Sequence, residues 1–407
     1  PFATCELGSG LQVTHHRRPL VSAMDAYALS LVKLGCGNNL IGYYMYHGGT
    51  NKIGKRSTFQ ESTDTGYPND VPILNYDFQT CLSQYGEARG QYGLLNMLHL
   101  FAQDFGGLLA PMEHVSAEQF IPSTDLTHLR ACLRTDGTRG FVFINHYQRL
   151  SQLEDVHGAA IEALGVSFPP MDICGDVSFF LPVHMPLEGA ELAYATAQPL
   201  CRAGHTFFFA AVDGIAPQYC IRLADGSEKT LAVQPGLDSI FDAGDSKIIT
   251  LTWDQARFVR RLGGDVYIGE DVNLYLHSGV ICAIEDGSFA CRRYAEGRFE
   301  RMEIHREFSP AQLTLTPAEE PFFPPHVREL ELGGPRKRWW QRISVSSGEG
   351  FVTIPGEYDA AQIYADGQLI ADHFYTGVSW RVPASLLFGR ECYLVMSEKK
   401  NDFYCEI

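Results

Sequence analysis

Apolar and polar positions alternate along this chain with two different periods, and the change comes near residue 107. Before it, Met24, Tyr27, Ala28 and Leu31 fall on one face at three-four spacing and predict a helix over 22–34. Ser22 with Asp25 forms a capping-box-like start, and Gly35 and Gly37 mark the stop. Leu94, Leu95, Leu98, Phe101, Ala102 and Phe105 line the inner side of a second helix, expected over 84–104. Two apolar runs accompany them. Residues 1–6 read as a short strand ending in Glu6, and Leu40 to Tyr46 as a strand buried on both faces. The order strand, helix, strand, helix is the repeat of a parallel α/β structure.

After residue 107 short strands recur, bounded by Gly, Pro and Asp. Gly140 to Ile144, Val177 to Val183, Thr206 to Val212, Ile248 to Trp253, Val266 to Ile268 and Leu274 to His277 carry this pattern. It argues for sandwich-type all-β modules. Residues 318–338 are proline-rich and then basic, as a linker would be. Further strands follow at Ile343 to Val345, Phe351 to Ile354, Ala361 to Tyr364, Leu369 to Ala371 and Cys392 to Met396. Asp366-Gly367 between two of them is a strong hairpin signal.

Composition narrows the partners. The 407 residues carry 32 basic and 48 acidic side chains, a formal charge of −16. Such a surface repels nucleic acid and anionic membranes and suits a neutral or cationic ligand. No apolar run is long enough to span a bilayer. Eleven cysteines are scattered, odd in number and free of any C-x-x-C pair. That argues against a zinc cage and a disulfide framework, and for reduced thiols in a cytoplasmic protein.

The run Tyr43-Tyr44-Met45-Tyr46-His47-Gly48-Gly49-Thr50-Asn51 stops an aromatic stretch at two glycines, a hydroxyl and an amide. It resembles the last barrel strand of glycoside hydrolase family 35, the β-galactosidases. Glu6, the segment His15-His16-Arg17-Arg18-Pro19 and the helix after it stand in the family's order before that run. The resemblance implies the C-terminal part of a (β/α)8 barrel over 1–109, β-rich accessory domains over 110–317 and a terminal jelly-roll-like sandwich over 318–407. It implies a retaining glycoside hydrolase acting on terminal β-galactose, with a β-galactoside or oligosaccharide as substrate and no cofactor. Glu6 matches the nucleophile, and Tyr44 and Tyr76 match tyrosines that line the sugar subsite. Phe78 replaces a second family tyrosine, and Gly8, Gly10 and Leu11 stand where the family carries an aromatic turn.

Retaining cleavage needs a second carboxyl about 5–5.5 Å from the first. No Asn-Glu pair of the family's acid/base kind occurs here, and Glu61 and Glu87 are poor substitutes. The chain is therefore expected to lack turnover alone, with an upstream segment or partner completing the barrel. The alternative is a non-catalytic carbohydrate-binding or structural fragment, with Trp339, Trp340 and Trp380 as stacking candidates. Gly48 and Gly49 read as loop formers, Arg17 and Arg18 as ties from the turn to carboxylates, and His15 and His47 as structural rather than metal-binding.

Overall fold

The computed structural model describes residues 2–55, 71–117, 120–283, 288–305, 311–321, 337–399 and 404–405. Glu61 and most of the 318–338 linker lie outside them. The protein is mostly β, with 49% strand and 12% helix. Three α-helices occur among the described residues: α1 (Ala23–Gly35), α2 (Gly90–Leu109) and the short α3 (Trp253–Arg257).

This corrects the expected barrel portion. The strand Phe2–Leu7 does pair in parallel with Asn38–Tyr43 across α1, but the pair stands as a two-stranded sheet. The larger sheets are built mainly from antiparallel neighbours. The barrel expectation came from the resemblance of residues 1–109 to a family barrel, but a (β/α)8 barrel needs eight parallel strands and only one parallel pair forms in this stretch's βα repeat. Beyond α2 short strands follow one another, and most pair with a strand near them in sequence. The second strand also differs from its expected double burial. Asn39 and Leu40 are exposed and Ile41 to Tyr43 half-buried, because that strand has one neighbour here.

Contacts gather the chain into two compact units. The first holds residues 1–9, 22–44 and 90–305. Its centre is a seven-stranded sheet in which Gly140–His146 pairs with Val177–Leu187, Phe143 opposite Phe180. One face buries Val142, Ile144, Phe179, Leu181 and Val183. On the other face Phe180 meets Phe101 of α2 at 4.4 Å between ring centroids. Both faces are covered, so these strands are apolar at nearly every position rather than at alternate ones. α1 begins as its sequence predicts: Asp25 N–H donates to Ser22 Oγ at 3.1 Å, and Ser22 N–H donates to Asp25 Oδ2 at 2.7 Å. Gly37, at φ 91°, turns the chain out of it. α2 starts six residues later than expected, at Gly90. A tight turn through Gly86 (φ 87°) and a bridge between Leu82 and Ala88 occupy the preceding residues.

The second unit holds residues 10–21, 45–89 and 306–407. It thus draws together stretches that lie far apart along the chain. Its five-stranded antiparallel sheet buries Ile343, Ile363, Ala371, Leu394 and Met396 around Tyr358 and Trp380. The expected hairpin is present: Asp366 and Gly367 have φ 52° and 78°, and Ala365 pairs with Gln368. Both central residues thus sit at positive φ, as a tight primed turn requires.

Candidate functional site

Glu6 sits one residue before the carboxyl end of its strand, where parallel sheets place ligand-binding groups. The register there is irregular. Thr4 pairs with Ile41 and Leu7 with Tyr43, so Cys5 and Glu6 face only Gly42 across the ladder. That is a β-bulge, which re-aims side chains and is common beside active sites. Gly42 makes it possible. A Cβ at position 42 would lie 3.1 Å from Cys5 O and 3.2 Å from Thr4 O. The signal was present in the sequence as an isolated glycine inside an apolar strand, which marks a bulge or a close backbone approach.

The neighbouring strand delivers two tyrosines in opposite directions. The Tyr43 hydroxyl lies 3.2 Å from His99 Nε2 and donates to Ser30 Oγ at 3.3 Å. Burial holds the His99 imidazole below its usual range, so it is neutral there. Tyr43 is thereby tied to the helices. The Tyr44 side chain is exposed, and its backbone N–H donates to Leu7 O at 3.0 Å, extending the parallel ladder past Tyr43. Glu6 is also exposed. Glu6 and Tyr44 therefore leave the same end of two adjacent strands.

Tyr76 belongs to the second unit. It pairs with Gly49 on a two-residue strand, and its ring packs on Phe78 at 4.7 Å. The segment that carries it is pinned from both sides. Asp372, fully buried, accepts from the backbone N–H groups of Ile73, Leu74 (3.0 Å) and Asn75 (2.8 Å). Burial pushes the Asp372 carboxyl up to about 6, against the downward pull of those three donors. Asp77 accepts from Gln79 N–H at 2.8 Å and Gln84 N–H at 2.6 Å, and pairs with Arg89 at 2.8 Å. Gly48 is a close-approach glycine, since a Cβ there would lie 2.7 Å from Gln84 N. Gly49 has only ordinary contacts.

The basic turn bears out the expected carboxylate tie at Arg18. Arg18 is fully buried and donates to Asp359 Oδ1 at 2.6 Å and Asp359 O at 2.6 Å. His15, also buried, lies 3.7 Å from the same carboxylate. Arg17 is exposed. His47 bonds to the carbonyl of Gly48. Glu87 pairs with Arg381 at 3.0 Å, a surface contact of the second unit. Trp380 is buried and stacks on His373 at 5.3 Å, so it offers no sugar platform, while Trp339 is half-buried against the same core. Sequence reasoning missed Asp372 and Asp77. Asp372 gives no local sign of its three amide partners 297–299 residues away, and Asp77 none of the arginine twelve residues on.

Among the described residues no cluster of three or more His, Cys, Asp or Glu could hold a metal ion. No helix there is long and apolar enough to cross a membrane. No family model matches the chain, and no curated protein matches it.

Proposed function

We propose that this chain carries the nucleophile-bearing part of a retaining, β-galactosidase-type glycoside hydrolase, with Glu6 as the attacking carboxylate and Tyr44 as a sugar contact. One observation carries the reading. Glu6 emerges from a bulge at the carboxyl end of a parallel strand, exposed, beside Tyr44 at the same end of the neighbouring strand. The sequence order around these residues supports the same reading.

In the proposed step a Glu6 carboxylate oxygen forms a bond to the anomeric carbon as the bond to the leaving group breaks. Tyr44 donates to a sugar hydroxyl. Protonation of a poor leaving group is the task of a second carboxyl, which this proposal assigns to no residue of the chain. The test is chosen to depend on Glu6 alone. A 2-deoxy-2-fluoro-β-galactosyl fluoride expels fluoride without needing a proton. Incubation of the full chain is expected to leave a covalent sugar adduct on the peptide containing Glu6, absent in Glu6→Gln. Folded protein that takes up no label at Glu6 would sink the reading.

A further inference from the structure

Ten of the eleven cysteines are described, and all are free thiols. Five are inert by position. Cys81, Cys201, Cys220, Cys291 and Cys392 are buried, and burial raises the thiols of Cys201, Cys291 and Cys392. Cys36 and Cys132 differ. Cys36 caps the C-terminus of α1 and is exposed, while Cys132 lies half-buried on the strand Arg130–Thr135. Cys132 Sγ packs against the helix end beside Cys36, near enough for each thiol to act on the other's proton. Gly35 opens the way. A Cβ at position 35 would stand 3.1 Å from Cys132 Sγ, so the missing side chain lets that sulfur reach the helix end.

The surroundings favour one thiolate in the pair. The neighbouring Cys132 thiol lowers the Cys36 thiol well below its ordinary value, with His114 and Lys33 adding to the effect against burial. The Cys132 proton is correspondingly held, by its place beside Cys36, by burial and by the adjacent charge. His114 is fixed beside them, its Nδ1 3.0 Å from Gly35 O and its Nε2 2.8 Å from Ser116 Oγ.

We propose that Cys36 and Cys132 form a reversible oxidation site, with Cys36 as the attacking thiol and Cys132 as the resolving one. The oxidant is a low-molecular-mass disulfide. Cys36 thiolate attacks one of its sulfurs, forming a mixed disulfide and expelling one small thiolate. That step removes the negative charge at Cys36, and the Cys132 proton is then released to solvent. Cys132 Sγ attacks Cys36 Sγ and expels the second small thiolate. The two protein thiols are oxidised by two electrons and the small disulfide is reduced to two thiols. The product joins the end of α1 to the strand Arg130–Thr135 and closes a long loop of the chain.

The test equilibrates the full reduced chain with mixtures of oxidised and reduced glutathione. Samples are quenched in acid, alkylated and mapped by mass spectrometry. A linked peptide pair containing Cys36 and Cys132 is expected, forming ahead of any modification of the buried thiols. The oxidised protein should melt at a higher temperature than the reduced one. In Cys132→Ser, Cys36 should accumulate as the glutathione mixed disulfide. A stable Cys36–glutathione adduct in the unaltered chain at every ratio, with Cys132 free, would overturn the proposal. So would identical fates of Cys36 with and without Cys132.

Discussion

Two carboxylates measure the difference between the two units. In the first, Glu6 stands exposed on a bulge, with no ion pair or side-chain hydrogen bond among the described residues. In the second, Asp372 is buried under three backbone N–H groups, and Asp359 is closed by Arg18. A buried acid must spend its lone pairs on partners to offset desolvation. An exposed one keeps them for a ligand. The contrast separates acids that hold the fold from one able to act on a substrate, and it does so by solvation and partners rather than by residue type.

Removing Arg18 should give the largest effect. Arg18→Met leaves Asp359 buried without the guanidinium that pairs with it, and a loss of about 3–5 kcal/mol is expected in urea denaturation of the second unit. Arg18→Met with Asp359→Asn should recover part of it, since no unpaired charge then remains. A single variant as stable as the parent would mean that the pair is not buried as described.

Asp372 comes next and carries a pH signature. Its folded carboxyl titrates near 6, above the ordinary aspartate value. Between those values the native state holds a proton that the unfolded chain has released. Stability from this group is therefore greatest at low pH and falls as pH rises toward 7, by about 2–3 kcal/mol at most. Asp372→Asn should abolish that slope. Asp372→Ala strands three amide donors and should cost about 2–3 kcal/mol at neutral pH. Parallel pH–stability curves for the parent and Asp372→Asn would show that the carboxylate titrates normally.

The smallest effect on stability belongs to Glu6. Glu6→Gln should change the unfolding free energy by less than about 0.5 kcal/mol, as exposed substitutions do. The same change should remove all labelling by the fluorosugar. A large destabilisation from Glu6→Gln would move Glu6 into the class of Asp372 and end the contrast.

What could be read from sequence was local. Ser22 and Asp25 announced α1, and Asp366-Gly367 announced a hairpin, because each depends on residues three or fewer apart. The aromatic run ending at Gly48 announced a close backbone approach, and Gly48 makes one. The barrel was a different kind of inference. It carried a whole fold over from a resemblance in short motifs, which do not encode global closure, and the antiparallel sheets beyond α2 contradict it. Gly42 could have been noticed, since a glycine in an apolar strand is itself a bulge signal.

By itself, then, the sequence determined α1, most of α2, the Asp366-Gly367 turn and the acid at position 6. Only the tertiary structure decided which charges are buried and which are available. Arg18 finds Asp359 across a separation of 341 residues, and Asp372 finds Ile73 across 299. Periodicity and capping act over a few residues. Desolvation is set by whatever the whole chain brings alongside, and at those separations no local pattern records it.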